Sequence, residues 1–431
     1  MKQTDNFTVE LGKKAYTLPS FKDGELKGEF ENNPGKFYYF ENSSLNAFHA
    51  YVDALKADGF GLHFENVING NEFATLTNGE LTVHTYYTDY SKTVRVIVEE
   101  FGDVLPIECT PIEEKLTQPS VTQLALDYAK DVSDLQKALS KNDGGMSYII
   151  TLEDSTFIII DGGMARFDNN RLKNCEHLME KLKYLNKRPD GRIIINAWYI
   201  THAHIDHIHC FECFSTLYGK HVTLGCVILN IPAANMLGTM IGAEEPFAVW
   251  NHDGCAVRAA ADNFGTDVKI YTPHAGQVFY IKNVKFEVLY TYESLYPNRM
   301  EVHNNDHSMV SRMTISDTTV LWAGDVYTAN TFLKHDPPLL FCGCEVMVAM
   351  YGDYLKSDII QMPHHGYATS GGPEWYKCVG AKIALWPHGL IWIDLNKKQT
   401  NEVRRWLKEA GTDIVLYADP DDITISFPET I

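Results

Sequence analysis

The chain has 431 residues, a formal net charge of −19, 45% apolar residues and nine cysteines at irregular spacing. That length supports two or three domains and a large core. No apolar run reaches the roughly eighteen residues of a membrane-spanning helix, the first residues lack the apolar core of a secretory leader, and the unpatterned cysteines fit a reduced, cytoplasmic protein better than a disulfide framework. The acidic balance repels polyphosphate backbones, so a long nucleic acid is a poor partner, whereas a small-molecule substrate suits it.

Residues 1–110 read as an α+β module. Phe37 to Phe40 is a short strand. Ser43 or Ser44 can cap a helix whose apolar face is Leu45, Phe48, Val52 and Leu55. Phe73 to Thr77 and Leu81 to Tyr87 flank Asn78-Gly79, the signature of a hairpin with a type I′ turn. Thr93 to Val98 alternates as a third strand. The module carries no chemical cluster. It could bind a partner, cover a site or mediate a homo-oligomer.

Residues 111–142 read as a connector with a helix, on the recurrence of Leu124, Tyr128, Val132, Leu135 and Leu139. Residues 143–431 read as the chemical domain. Ser147 to Leu152 and Ser155 to Ile160 form a hairpin ending at Asp161-Gly162-Gly163, and an amphipathic helix spans Asn170 to Asn186. Further strands are expected at Arg192–Ile200, Val222–Leu229, Val268–Tyr271, Val284–Tyr290, Met309–Ile315, Thr319–Ala323, Asp358–Met362, Ala381–Trp386, Ile414–Tyr417 and Ile423–Phe427, with a helix over Glu402–Ala410. Many strands with fewer helices suit two packed sheets with helices outside.

The run Thr201-His202-Ala203-His204-Ile205-Asp206-His207 places three imidazoles and one carboxylate within six consecutive residues. So short a run cannot present all four groups on one helix face, but a tight loop at a strand end can. The donor set suits zinc, iron or manganese. Asp325 and the pair His364-His365 also follow predicted strands. His388 lies just past another, where it could donate a proton to a leaving group. His209, His252, His274 and His335 have no supporting neighbours and read as structural.

In this order the motifs resemble the metallo-β-lactamase fold, an αββα sandwich with a metal site at one edge. The resemblance runs from about residue 143 to the C-terminus. His202-Ala203-His204-Ile205-Asp206-His207 reproduces that family's His-X-His-X-Asp-His signature. Asp161-Gly162-Gly163, Gly324-Asp325 and Pro363-His364-His365-Gly366 match its other motifs. The details look closest to the branch holding the nuclease-like domain of bacterial competence DNA-uptake channel proteins and the phosphorylcholine esterases. Asn305-Asp306-His307-Ser308-Met309-Val310 fits that branch's block before the Gly-Asp strand. His364-His365-Gly366-Tyr367-Ala368-Thr369-Ser370 fits its last motif, with Tyr367 in place of a serine.

The resemblance implies two divalent ions, zinc being the expected metal with manganese or iron as alternatives. His202, His204 and His307 would serve one ion; Asp206, His207 and either His364 or His365 would serve the other, with Asp325 shared. Asp206 would orient a metal-bound hydroxide as well as bind metal, and Asp161 would fix the tautomer of a ligand histidine. Ser308, Tyr367 and Ser370 would face substrate. The expected function is a metal-dependent hydrolase of a small phosphodiester or similar ester. Alternatives are a lactone, thioester or β-lactam hydrolase, a nuclease acting on a short strand, or a non-catalytic metal-dependent sensor.

Overall fold

A computed structural model describes residues 6–31, 35–126, 144–165, 172–232, 254–265, 268–295, 304–329 and 342–428. The N-terminal part contains β1 (Asn6–Leu11), β2 (Lys14–Pro19), β3 (Glu25–Glu31), β4 (Gly35–Glu41), α1 (Leu45–Ala57), β5 (Gly61–Ile68), β6 (Asn71–Thr77), β7 (Leu81–Thr88) and β8 (Thr93–Glu100). β1 and β2 form a separate hairpin; β3 to β8 form one sheet in the order β3-β4-β8-β7-β6-β5, antiparallel throughout. Ser44 is the residue that caps α1, its Oγ accepting the Ala47 N–H at 3.2 Å. The Asn78-Gly79 loop sits one residue earlier than a type I′ turn requires. Asn78 donates its N–H to the Leu81 carbonyl, which leaves Gly79 and Glu80 at the centre. Only the first of these has positive φ, 86°, the sign pattern of a type II′ turn.

Successive side chains of a strand point to opposite faces, and here both faces are covered. Tyr38, Val83, Val94, Val96 and Val98 pack against α1 through Phe48, Tyr51, Val52 and Leu55. Phe37, Tyr39, Phe73, Tyr86 and Ile97 belong to a core that continues into the rest of the chain. That is why β7 and β8 are buried nearly end to end rather than at alternate positions.

The remainder contains β9 (Ser120–Gln123), β10 (Ser147–Thr151), β11 (Phe157–Asp161), α2 (Lys173–Leu185), β12 (Ile193–Ile200), α3 (Ile205–Tyr218), β13 (Val222–Leu229), α4 (Gly254–Ala261) and β14 (Lys269–Tyr271). It continues with β15 (Val278–Ile281), β16 (Val284–Tyr290), β17 (Val310–Ile315), β18 (Thr318–Trp322), α5 (Gly343–Tyr351), β19 (Ile359–Gln361), α6 (Pro373–Val379), β20 (Ile383–Trp386), α7 (Leu390–Leu395), α8 (Lys397–Ala410), β21 (Ile414–Tyr417) and β22 (Ile423–Ser426). Two seven-stranded sheets result, ordered β14-β13-β12-β11-β10-β9-β22 and β15-β16-β17-β18-β19-β20-β21. β9 lies inside the stretch expected to be a connector, yet it pairs with both β10 and β22. Of the helix expected on Leu124, Tyr128, Val132, Leu135 and Leu139, Leu124 follows β9 outside any helix, and the other four positions lie outside the described residues.

Tyr148, Ile158, Tyr199 and Ile228 of the first sheet meet Phe279, Phe286, Met313 and Trp322 of the second in a shared apolar layer. Cys175, Leu178, Phe211, Phe214 and Val257 bring α2, α3 and α4 onto the outer face of the first sheet. Met347, Trp375, Val403 and Trp406 bring α5, α6 and α8 onto the outer face of the second. The helix–sheet–sheet–helix order is the αββα sandwich expected from the motifs. β11 to β14 run parallel, as do β18 to β21. The C-terminal ends of the parallel strands in both sheets therefore open on one edge, where α/β sheets present their ligand sites.

Candidate metal centre

Five strand ends carry the centre: Asp161 closes β11, the His202–His207 run follows β12, Asp325 follows β18, His364-His365 follows β19 and His388 follows β20. The spacing of the run predicts a loop throughout. Instead α3 begins at Ile205, with His204 as its N-cap and Asp206 and His207 in its first turn. The helix N-terminus there favours the Asp206 carboxylate. Gly145 makes the tight approach possible, since a Cβ on it would lie 1.8 Å from the Asp206 carbonyl oxygen.

Asp161 organises the imidazoles from behind. Its carboxylate accepts the Thr201 N–H at 2.8 Å, the Thr201 hydroxyl at 2.8 Å and His207 Nδ1 at 2.8 Å. A carboxylate only accepts, so His207 carries a proton on Nδ1, and Nε2 is the nitrogen turned toward Asp325 and available to a cation in exchange for its proton. The single hydroxyl proton of Thr201 is spent on Asp161. Toward His202 Nδ1, 3.1 Å away, Thr201 must therefore accept, so that nitrogen carries a proton as well.

Two overlapping triads of donors result: His202, His207 and Asp325, and Asp206, His207 and His365, each with its donor atoms within 4.8 Å of one another. His207 Nε2 is 3.4 Å from Asp325 Oδ1, and His365 Nε2 is 3.1 Å from Asp206 Oδ2 and 3.5 Å from Asp325 Oδ2. His207 Nε2 and Asp325 Oδ1 are both buried and neither has a hydrogen-bond partner. Two orphaned donors at that separation are what a cation between them would satisfy, so the residues present fit divalent metal.

Burial is the largest influence on every imidazole here and works against charge. Where the carboxylates crowd in they override it: His207 is raised well above the usual histidine value, and Asp325 and Asp206 hold His365 at about 9. Elsewhere burial prevails. His202, His204 and His388 are lowered, and His364 falls to about 4. Asp206 and Asp325 stay below the ordinary carboxylate range against burial because His207 and His365 face them.

The structure divides the expected residues unevenly. Of the histidine pair it is His365 that enters a triad; its carbonyl accepts the Trp386 Nε1–H at 2.8 Å. His364 turns its Nδ1 to Thr369 Oγ1 at 2.8 Å and packs beside Tyr327 and Tyr367. Both histidines take left-handed backbone angles, φ 47° and 55°, a strain that persists at functional turns when the surroundings over-determine it. His204 lies outside both triads, with Nδ1 3.0 Å from His202 Nε2. His307 is buried, outside both triads, and its ring meets Tyr292 at 5.7 Å. His388 sits 4.8 Å from His365 and 5.6 Å from Tyr367, ring centre to ring centre, so both it and Tyr367 border the centre.

Ser308 and Ser370, expected against substrate, are fully buried. Ser308 Oγ accepts the Asp325 N–H at 2.9 Å and Ser370 Oγ donates to the Asp325 carbonyl at 3.3 Å; both hold the Asp325 backbone instead. Gly324 must stay small beside them, with φ 53° and a Cβ position 2.9 Å from Ser308 Oγ. Two further residues brace the centre although no motif marks them. Thr201 bridges Asp161 to the ligand imidazoles, and its place directly before His202 was the available signal. Gln361 accepts the Ala323 and Gly324 N–H groups at 2.8 Å each; a lone amide in an apolar strand was its signal. Of the histidines read as structural, His274 is buried between Glu99 and Glu293, while His252 and His335 lie outside the described residues.

No protein-family model matches this sequence, and no curated protein matches it. Solved structures do resemble it. The metallo-β-lactamase fold protein YhfI from Bacillus subtilis is 13% identical, covering 72% of this chain and 99% of its own, with a TM-score of 0.39. CmlA, a diiron β-hydroxylase from Streptomyces venezuelae, is 12% identical over 72% of this chain and 55% of its own, with a TM-score of 0.39. The short form of human tRNase Z is 13% identical over 72% of this chain and 99% of its own, with a TM-score of 0.31. Likeness at this level carries nothing about the reaction, which rests on the side chains themselves. Among the described residues, no helix is long and apolar enough to cross a membrane.

Proposed function

We propose that this chain is a metal-dependent hydrolase acting on a small phosphodiester or similar ester. One observation carries the reading: a buried imidazole nitrogen of His207 and a buried oxygen of Asp325 face each other at 3.4 Å without a hydrogen bond, inside two overlapping triads. His202, His207, Asp325, Asp206 and His365 would hold divalent ions. Ions bound there would acidify water and offset charge growing on the attacked oxygen.

The protein's own contribution is orientation and proton handling. Asp161 and Thr201 hold a proton on Nδ1 of His207 and His202, which turns the two Nε2 atoms toward Asp325 as the nitrogens a metal would take. Asp206, with 29% of its side chain exposed, is the triad carboxylate open to an incoming molecule and can orient attacking water. Tyr367, whose hydroxyl burial keeps protonated, flanks His365 and is placed to pass a proton to a departing oxygen, with the neutral His388 ring packed beside both.

The test is turnover of bis-p-nitrophenyl phosphate by full-length protein, before and after chelation and after zinc or manganese is returned, with a thioester and a lactone as parallel substrates. Chelation should abolish phosphodiester hydrolysis and added metal should restore it. Metal-restored turnover confined to the carbonyl substrates would move the assignment to that chemistry, and no turnover in any arm would end the enzymatic reading.

A further inference from the structure

We propose that the N-terminal module positions the metal-centre turn, with Arg95 as the positioning residue; this rests on the metal-dependent reading above. Arg95, on β8, is fully buried. A buried guanidinium is tolerated only when its donors are used. Two of its bonds stay within the module, Nη1 donating to Thr93 Oγ1 at 2.9 Å and to Thr88 Oγ1 at 3.2 Å. Two cross to the sandwich, Nε donating to the Glu293 carbonyl at 2.8 Å and Nη2 to the Ser294 carbonyl at 3.2 Å. The Tyr39 and Tyr86 rings lie 5.1 and 5.3 Å from the guanidinium carbon, and the Tyr86 hydroxyl is 3.0 Å from Ser294 Oγ. A cation that grips carbonyl oxygens holds main chain, so Arg95 sets the shape of the short turn Tyr292–Ser294.

That turn leads to the metal centre in two steps. The Tyr292 ring meets the His307 ring edge-on at 5.7 Å, and Tyr290 OH donates to the Asp306 carbonyl at 3.0 Å. The next residue, Ser308, accepts the Asp325 N–H at 2.9 Å, and Met309 N–H donates to the Thr201 carbonyl at 2.8 Å. Arg95 therefore reaches both the Asp325 turn and the strand end that carries the histidine run through buried groups alone.

General adhesion between the two parts has its own residues. His84 Nε2 donates to the Ala275 carbonyl at 3.0 Å, Gln277 Nε2 to Thr75 Oγ1 at 2.9 Å, Asn66 Nδ2 to the Gly276 carbonyl at 3.0 Å and Asn71 Nδ2 to the Met350 carbonyl at 2.7 Å. None of these four ends on the turn that Arg95 grips. The seam thus offers matched variants, one set touching the turn and one set not.

Cobalt(II) titration of metal-free, full-length protein separates the two roles, read by the d–d absorption spectrum and the affinity. Arg95→Met should weaken cobalt binding about fivefold or more and shift the spectrum, and Arg95→Lys, which keeps the charge but not the fork, should fall between it and wild type. Asn71→Ala, which cuts the bond to Met350 and leaves the turn untouched, should lower the melting temperature yet titrate like wild type. Cobalt binding by Arg95→Met that matches wild type, or by Asn71→Ala that is impaired as much, overturns the positioning role. Should Arg95→Met fail to fold, Arg95→Lys decides: wild-type affinity and spectrum overturn the proposal. Wild-type protein that takes up no cobalt removes the metal-dependent reading itself, and this inference with it.

Discussion

Asp161 is buried behind the imidazoles, and three hydrogen bonds to Thr201 and His207 make it the residue that sets their Nδ1 protons. Asp161→Asn preserves shape but offers one acceptor oxygen and an amide donor that confronts His207 Nδ1–H. Metal affinity should fall roughly tenfold to a hundredfold, measured by competition with a chromogenic chelator. The histidine doublet offers a second contrast. His365→Ala should lose metal from the Asp206 triad, whereas His364→Ala should keep wild-type stoichiometry after dialysis, because its imidazole faces Thr369. Equal losses in the two variants would mean that the side chains exchange places when metal binds. Residue types at this edge were legible in the sequence, but their partition was not. Spacing says which groups reach a strand end and leaves open which rotamer each adopts. For the same reason Ser308 and Ser370 were assigned to substrate: nearness to a motif does not tell whether a hydroxyl points at a cavity or at main chain.

Strands of the sandwich were readable because their apolar, β-branched runs are covered on both sides, as in β10 to β13. β5, an edge strand largely open to solvent, gave no such pattern. The start of α3 was missed because His204, its N-cap, makes no side-chain capping bond, so the usual serine, threonine, asparagine or aspartate signal is absent. Capping was readable where that chemistry exists, and Ser44→Ala should destabilise the protein by about 1 kcal/mol in urea unfolding. β19 matters through one side chain. Gln361 Oε1 takes the N–H groups of Ala323 and Gly324, so Gln361→Leu would strand two buried donors beside Asp325. A loss of about 2–4 kcal/mol is expected in the same measurement, and a loss below about 1 kcal/mol would show that the turn is held mainly by Ser308 and Ser370.

At the scale of the molecule, the seam between the two parts carries its own acid–base signature. His274 stacks on His84 and lies between Glu99 of β8 and Glu293 of the turn that Arg95 grips. Burial opposes its charge, but the two carboxylates raise it to about 10. A histidine raised above its unfolded value stabilises the fold fully below about 6.5, and that contribution declines as pH climbs and is gone above about 10. Wild-type stability should therefore drop between pH 6 and pH 9.5 by more than that of His274→Gln, read from urea midpoints; parallel slopes would remove His274 from the account. No pattern within either half of the sequence announces this seam, since its partners lie about two hundred positions apart. The inner face of the N-terminal sheet shares one apolar core with Leu289, Tyr290, Met347 and Met350. Stripped of that sheet, the sandwich would present those four side chains to water, so its outer layer is unfinished without the N-terminal roof.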